Sequence, residues 1–285
     1  KAAWGIIFPP NIAGAAIMLY DAAGFDADMH LKLIEKYKVT TFCAPPTVYR
    51  LFATMDISPY DVSSIRHCIG AGEPLNPEAM RSWKAATGCD IHDGYGQTEV
   101  LMTVLNYPWM PVKPGSMGRP LPGIETGLLK PDGSLGGCGD QGELLIRLPS
   151  PQMMLGYWND PERTGQALFK SDDNQWFRTG DNVYQDDDGY FFYVGRTDDI
   201  INSAGYRIGP QEVENALISH PAVQESAVVG VPDPERGEIV KAFVVLADPG
   251  LERGSNDLVS ELQDHVKQYT APYKYPRSIE FVDEL

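Results

Sequence analysis

Residues 195–214 read Gly-Arg-Thr-Asp-Asp-Ile-Ile-Asn-Ser-Ala-Gly-Tyr-Arg-Ile-Gly-Pro-Gln-Glu-Val-Glu, and they separate two dissimilar parts of the chain. The turn signal Asp187, Asp188, Gly189 precedes an expected strand over residues 190–194. Arg196 and Asp198, fixed charges of opposite sign, follow at once. The apolar pair Ile200 and Ile201 requires burial. Asn202 to Gly205 are small and turn-prone, and Gly205 can take positive φ or let a ligand approach the backbone. Arg207 falls on a short strand beyond. Pro210, after Gly209, is suited to the first position of a helix that must stop before Pro221.

Ahead of this run, strand and helix signals alternate. Asp28 is placed to cap a helix reaching about Lys38, with Met29, Leu33, Ile34 and Tyr37 at helical spacing. Strands are expected at 39–43, 65–69 and 90–93, the first ended by Pro45 and Pro46. Asn76 and Pro77 form a strong helix start, and Gly88 closes that helix after Thr87. Such alternation favours a mostly parallel sheet with helices on its faces. From Val112 onward, Pro and Gly punctuate short strands such as 143–148, which reads as a β-rich subdomain of the small-barrel kind. After Arg196 a helix (211–218), strands (225–231, 238–246) separated by a turn at Pro232 and Asp233, an amphipathic helix from Asp257 to about Thr270 and a last strand (278–282) make a compact α+β unit. Leu258, Leu262 and Val266 share one face of that helix. The fold class expected is α/β: a parallel-sheet subdomain plus a β-rich subdomain (1–197), then a small α+β domain (198–285).

Composition narrows the function. With 23 basic against 39 acidic residues the net charge is −16, which argues against nucleic-acid binding and leaves a nucleotide ligand open. Cys43, Cys68, Cys89 and Cys138 lie far apart with no C-x-x-C pair, as expected of reduced thiols inside a cell. No H-E-x-x-H or paired His spacing signals zinc. The apolar run 12–20 falls well short of the roughly 20 residues of a membrane span, and is expected to be a buried segment. Pro9, Pro10 and Asn11 separate it from Lys1, unlike a signal peptide.

Three further stretches carry candidate chemistry. Asp93-Gly94-Tyr95-Gly96-Gln97-Thr98-Glu99 is expected just past the carboxyl end of a parallel strand, where ligands of open α/β sheets bind. Tyr95 offers a flat face to a purine, Thr98 a hydroxyl to a phosphate, and Glu99 a hard oxygen to Mg²⁺. Gly70-Ala71-Gly72-Glu73-Pro74 turns from strand to helix. Leu75 stands where a dinucleotide fingerprint wants Gly, which counts against a dinucleotide oxidoreductase. Phe177-Arg178-Thr179-Gly180-Asp181 ends a β-type stretch, and Asp181 could accept both hydroxyls of a ribose.

Together these strings resemble, in order and over nearly the whole chain, the acyl-adenylate-forming enzymes: acyl-CoA synthetases, peptide-synthetase adenylation domains and luciferases. The resemblance implies an acid–thiol ligase using ATP, Mg²⁺ and coenzyme A, by way of acyl-AMP. It implies that Tyr95 packs on adenine, Thr98 touches the α-phosphate, Glu99 holds the metal, and Gly70, Ala71, Gly72, Glu73, Asp93, Gly94, Gly96 and Gln97 line the nucleotide and acyl sites. Asp181 and Arg196 match the ribose contacts. Asp198 matches the hinge about which the small domain moves. Gly205 and Tyr206 match the segment lining the pantetheine tunnel, and Arg207 the basic residue beside the substrates; Thr98, Glu99 and Arg207 are thereby the catalytic candidates. Arg236 and Arg277 resemble CoA-phosphate contacts of the medium-chain synthetases, which residues 42–50 also resemble.

Gly96 bears on the acid. Short-chain members of the family carry a bulky Trp there, so Gly implies an acyl pocket open to several carbons or an aryl ring; the alternative is that Gly96 serves backbone geometry alone. The family's phosphate loop and its C-terminal Lys do not occur between Lys1 and Leu285, so the chain is expected to be part of a longer protein and, by itself, a poor adenylating enzyme. A non-catalytic AMP- or CoA-binding module and a peptide-synthetase adenylation domain are the rival readings. The expected partners are a small carboxylic acid, ATP and CoA, in the cytoplasm or mitochondrial matrix; the sequence sets no oligomeric state.

Overall fold

A computed structural model describes residues 8–22, 24–171, 173–248 and 256–285. Its strands form two sheets that meet near Asp198. Strands β1 (Thr41–Ala44), β2 (His67–Ala71) and β3 (Ile91–Gln97) run parallel. Helix α1 (Phe8–Ile12) precedes α2 (Ala27–Tyr37), α3 (Pro46–Ala53) and α4 (Pro77–Thr87). The last three pack with the parallel strands around Leu31, Ile34, Tyr49, Phe52, Cys68, Trp83 and Ile91. Alternation explains the strand side: Cys68 and Gly70 are buried while His67 and Ile69 are half-buried.

Helix α4 begins and ends where its signals stand. Asn76 Oδ1 accepts the Glu78 N–H at 2.6 Å, Pro77 follows, and Gly88 closes the helix at φ 74°. Helix α2 differs from expectation. Asp26, not Asp28, accepts the Met29 N–H as cap. Asp28 lies in the first turn, paired with Lys32 at 2.6 Å and with the Tyr60 hydroxyl. The apolar run 12–20 is also corrected: Ile12 and Leu19 are 87% and 85% exposed, not buried.

The β-rich stretch is no separate barrel. Strands β4 (Leu101–Leu105), β5 (Ser116–Pro120), β6 (Thr126–Leu129), β7 (Leu135–Gly136), β8 (Gln141–Leu148), β9 (Leu168–Ser171), β10 (Asn174–Gln185) and β11 (Phe191–Arg196) continue the parallel strands in an open order, β1-β2-β3-β4-β5-β11-β10-β8-β6-β7, with β9 beside β10. The join is β5, which bonds β4 on one side and β11 on the other. Val104, Leu144, Ile146, Phe177, Val183 and Phe191 form the core beneath. Helix α5 (Pro161–Gln166) lies between β8 and β9.

The second sheet contains β12 (Ile201–Ser203), β13 (Tyr206–Ile208), β14 (Val223–Asp233), β15 (Gly237–Leu246) and β16 (Ser278–Phe281), ordered β13-β12-β15-β14 with β16 parallel to β15. Helices α6 (Pro210–Ile218) and α7 (Asn256–Tyr269) cover it. Leu262 and Val266 are fully buried and Leu258 partly so, as the helical stripe requires. Strand β14 runs through Pro232 and Asp233 where a turn was expected; the turn comes after them, with Asp233 Oδ1 accepting the N–H groups of Glu235 and Arg236. An edge strand tolerates the proline. The two sheets touch where α6 starts: a Cβ on Gly209 would stand 2.3 Å from Val194 Cγ1, so only glycine fits. Nearby, Asn76 Nδ2 donates to Asn215 Oδ1 at 3.2 Å.

Candidate functional site

The stretch 93–99 is part of a hairpin, not a loop beyond a strand end. β3 pairs with β2 through Gly94 and then with β4 from Gly94 to Gln97, with a bulge between Tyr95 and Gly96. The glycines make this approach possible. A Cβ on Gly94 would lie 2.2 Å from Leu105 Cδ2, and one on Gly96 only 2.0 Å from the Leu101 carbonyl oxygen. Gly96 therefore meets a backbone demand, which is the alternative weighed above against the open-pocket reading.

The hairpin delivers Tyr95 and Gln97 to a single carboxylate. Asp181, on β10, is 5% exposed. Its Oδ2 accepts from the Tyr95 hydroxyl and from Gln97 Nε2, both at 2.5 Å. Its Oδ1 accepts from Arg196 Nη1 at 3.1 Å and from the Tyr193 hydroxyl at 3.4 Å. The β10–β11 register sets Asp181 directly opposite Arg196, so two residues 15 apart in sequence meet without a loop's freedom. Burial, reinforced by the Asp181 charge, pushes the Tyr95 and Tyr193 hydroxyls up, so both remain donors. Burial works to lower Arg196, but the Asp181 charge, its hydrogen bond and the Asp198 charge together outweigh it, and the guanidinium is held more firmly protonated.

A second buried carboxylate shapes the bend before Asp181. Glu143 is 4% exposed and accepts from Arg178 Nη2 at 2.6 Å and from the Gly180 N–H at 3.0 Å. Gly180 has φ 71°, and a Cβ there would stand 2.7 Å from Arg196 Nη2. The guanidinium thus lies across the glycine. Thr179 Oγ1 donates to the Leu144 carbonyl, fixing the same bend from the other side.

Thr98 is exposed at the hairpin tip and Glu99 is half-buried beside it. Glu99 Oε1 accepts from the Tyr157 hydroxyl at 3.1 Å, and Arg163 lies 3.9 Å over the Tyr157 ring. On the neighbouring strand, Gly70 abuts Asp93, whose buried carboxyl is pushed well above the usual range by desolvation, eased only by the Gly94 N–H. Ala71 ends β2, Gly72 turns at φ 110°, and Glu73 is held by Thr47 at 2.7 Å and Arg50 at 3.1 Å.

The remaining candidates stand on the other sheet. Ala204 (φ 50°) and Gly205 (φ 84°) form the two-residue turn between β12 and β13. Tyr206 stacks on Tyr273, Arg207 is exposed, and Arg277 lies 4.8 Å over the Tyr275 ring. Arg236 reaches the same turn through its carbonyl, which accepts the Ala204 N–H at 2.9 Å. Among the described residues, no hydrogen bond or ion pair joins Gly205, Tyr206 or Arg207 to residues 95–99. Asp198 is exposed in the turn linking the sheets, on the wall of a cleft of about 500 Å³ shared with Arg196, Pro210 and Glu214. Glu143, Tyr157 and Tyr193 were not identified from sequence. Only their partners across the fold reveal them.

The geometry is that of a polar cradle: an aromatic face, a buried acceptor pair beside a guanidinium, and a carboxylate at the mouth. The profile described as AMP-binding enzyme matches residues 2–158, and the AMP-binding enzyme C-terminal domain matches residues 212–285. Acyl-coenzyme A synthetase ACSM3, mitochondrial, of Rattus norvegicus is 45% identical over 289 residues, covering 100% of this chain and 49% of that protein. Acyl-coenzyme A synthetase ACSM4, mitochondrial, of Homo sapiens is 47% identical over 288 residues, with 100% and 49% covered. The crystal structure of the anthranilate CoA ligase AuaEII in complex with anthranoyl-AMP superposes with TM-score 0.88 at 38% identity, covering 100% of this chain and 54% of that one. A benzoate CoA ligase from Burkholderia xenovorans LB400 does so with TM-score 0.81 at 35% identity, covering 97% and 54%. The chain spans about half the length of the curated relatives it matches.

Proposed function

The chain belongs to the AMP-binding enzyme family, and on that premise we propose that the protein carrying it is an ATP-dependent acid–thiol ligase. A carboxylate attacks the α-phosphorus of ATP, releasing pyrophosphate and forming acyl-AMP; the thiol of CoA then displaces AMP. The acid is a medium-chain fatty or an aryl acid, a reading supported by the names of the relatives. One observation carries the proposal: the side chains of Tyr95, Gln97, Tyr193 and Arg196 converge on the buried Asp181 carboxylate. An ionised carboxylate has about four acceptor sites, so this one is saturated and preorganised. Vicinal ribose hydroxyls can exchange for the Tyr95 and Gln97 donors while Arg196 keeps the charge in place.

In this reading Tyr95 presents its ring to adenine and Thr98 its hydroxyl to the α-phosphate. Asp93, with Gly70 and the turn through Glu73, walls the base side. Magnesium fits one carboxylate here. Among the described residues no three metal-ligating side chains cluster, and Mg²⁺ takes one or two carboxylates together with phosphates and waters. Glu99, oriented by Tyr157, would hold it, and bound metal would neutralise phosphate charge. Residues 1–197 and 198–285 act as two domains with Asp198 as the hinge; Gly205, Tyr206, Arg207, Arg236 and Arg277 serve the CoA step. An intracellular site of action accords with the mitochondrial names of the relatives and with the free state of the cysteines. Among the described residues no helix is long and apolar enough to cross a membrane.

Pyrophosphate exchange tests the reading. The full-length protein is assayed with acetate, octanoate and benzoate in parallel, without CoA. Exchange with octanoate or benzoate is expected. No exchange with any acid overturns the ligase proposal and favours a binding module.

A further inference from the structure

Tyr206 lies on β13, an edge strand of three residues paired to β12. So short a hairpin is weak unless neighbours hold it. Three contacts bear on it. The Arg236 carbonyl accepts the Ala204 N–H at 2.9 Å. Lys274 Nζ meets Glu212 Oε2 at 2.5 Å, and Glu212 Oε1 accepts the Gly209 N–H at 3.3 Å, tying residues 270–277 to the start of α6. Finally Tyr273 stacks on Tyr206, ring centroids 4.2 Å apart and planes 18° from parallel.

The stack is not a consequence of burial, since Tyr206 is 50% and Tyr273 41% exposed. Without Tyr273 the Tyr206 ring would have nothing in this ring pair to fix its rotamer. The tip beside it is open, because nothing lies within 4 Å of where a Gly205 Cβ would stand. An edge of bare backbone next to a fixed aromatic ring suits a narrow, extended, amide-bearing arm.

We infer that Tyr273 is a positioning residue for the thiol step: its ring holds Tyr206, and so the Gly205 edge, in the orientation that guides the arm of the thiol cosubstrate. The inference rests on the ligase reading above. In that step the sulfur, its proton released to solvent, bonds the acyl carbon. The bond from that carbon to the phosphate oxygen breaks, and its electron pair leaves on AMP. Tyr273 touches none of these atoms and acts through Tyr206.

The test uses the full-length protein with Tyr273→Ala and Tyr273→Phe. An aromatic pair of this kind corresponds to a change of about two- to twelve-fold. Tyr273→Ala is expected to raise the KM for CoA by that factor while pyrophosphate exchange with octanoate, measured without CoA, stays at the wild-type rate. Tyr273→Phe is expected to restore the KM, because the stack uses the ring and not the hydroxyl. An unchanged KM for CoA in Tyr273→Ala overturns the inference, as does a loss of exchange in step with the KM, which would mark a general structural role. Absence of exchange in the wild type contradicts the ligase reading itself, and is thereby distinct from a failure of the Tyr273 role alone.

Discussion

Replacing Gly96 with alanine separates two accounts of the same glycine. If Gly96 only leaves an acyl pocket open, one methyl group should trim that pocket and little else. The hairpin geometry forbids so mild an effect. The added Cβ would stand 2.0 Å from the Leu101 carbonyl oxygen and 2.7 Å from the Met102 Cα, both backbone atoms that cannot rotate away. Carbon and oxygen need a little over 3 Å, so β3 and β4 must part by about 1 Å. That loosens the pairs Gly96 with Met102 and Gln97 with Leu101. Overpacking costs about 1–3 kcal/mol and a weakened hydrogen bond about 1 kcal/mol more, so Gly96→Ala should destabilise by about 2–4 kcal/mol. Gln97 would also leave Asp181. Urea denaturation gives the stability, and pyrophosphate exchange with acetate and octanoate gives the activity. The expected result is a lower midpoint at an unchanged slope, with both activities falling together. Wild-type stability with loss of octanoate exchange alone would refute the backbone account and restore the pocket reading.

Asn76 has two duties, capping α4 and donating to Asn215. Asn76→Ala should cost about 1–2 kcal/mol, and a double-mutant cycle with Asn215→Ala should show coupling of about 0.5–1.5 kcal/mol; zero coupling in urea melts would remove the contact between the sheets. Asp93 makes stability depend on pH. Burial raises its folded pKa above the ordinary 3.8, so the folded state binds the proton more tightly and this group's contribution falls as pH climbs from about 3.8 toward the folded value. Asp93→Asn should therefore gain on the wild type over that rise, and a stability difference flat with pH in parallel urea melts would contradict the assignment.

The parts of the fold that sequence reading found are those with a local cause. Asn76, Pro77 and Gly88 bound α4 by capping chemistry alone. Gly205 turns as its freedom suggests, and Leu262 and Val266 face inward because helical spacing puts them on one side. Elsewhere local cues misled. Asp28 has the chemistry of a cap, yet it pairs with Lys32 and Tyr60 in the first turn and Asp26 takes the cap. Gly94 and Gly96 look like loop residues, yet they are the condition for two strands to close. The β-rich stretch looked like a separate body because the register of β5 between β4 and β11 has no local signature. At the site, the matched strings pointed to Tyr95, Asp181 and Arg196, which the fold brings together. Glu143 and Tyr157 lay outside those strings: their roles come from contacts with Arg178 and Glu99, which are 35 and 58 residues away.

The Asp181 carboxylate is the centre of this account, and equilibrium titration of AMP and 2′,3′-dideoxy-AMP against the wild-type full-length protein and Asp181→Asn tests it most directly. A hydrogen bond to a charged acceptor contributes about 1.5–3 kcal/mol, so Asp181→Asn should weaken AMP by at least about tenfold. The dideoxy analogue should bind the wild type as weakly, and the substitution should change its affinity little. Equal AMP affinity in the two proteins, or an equal loss for both ligands, would contradict the assignment of Asp181 to the ribose.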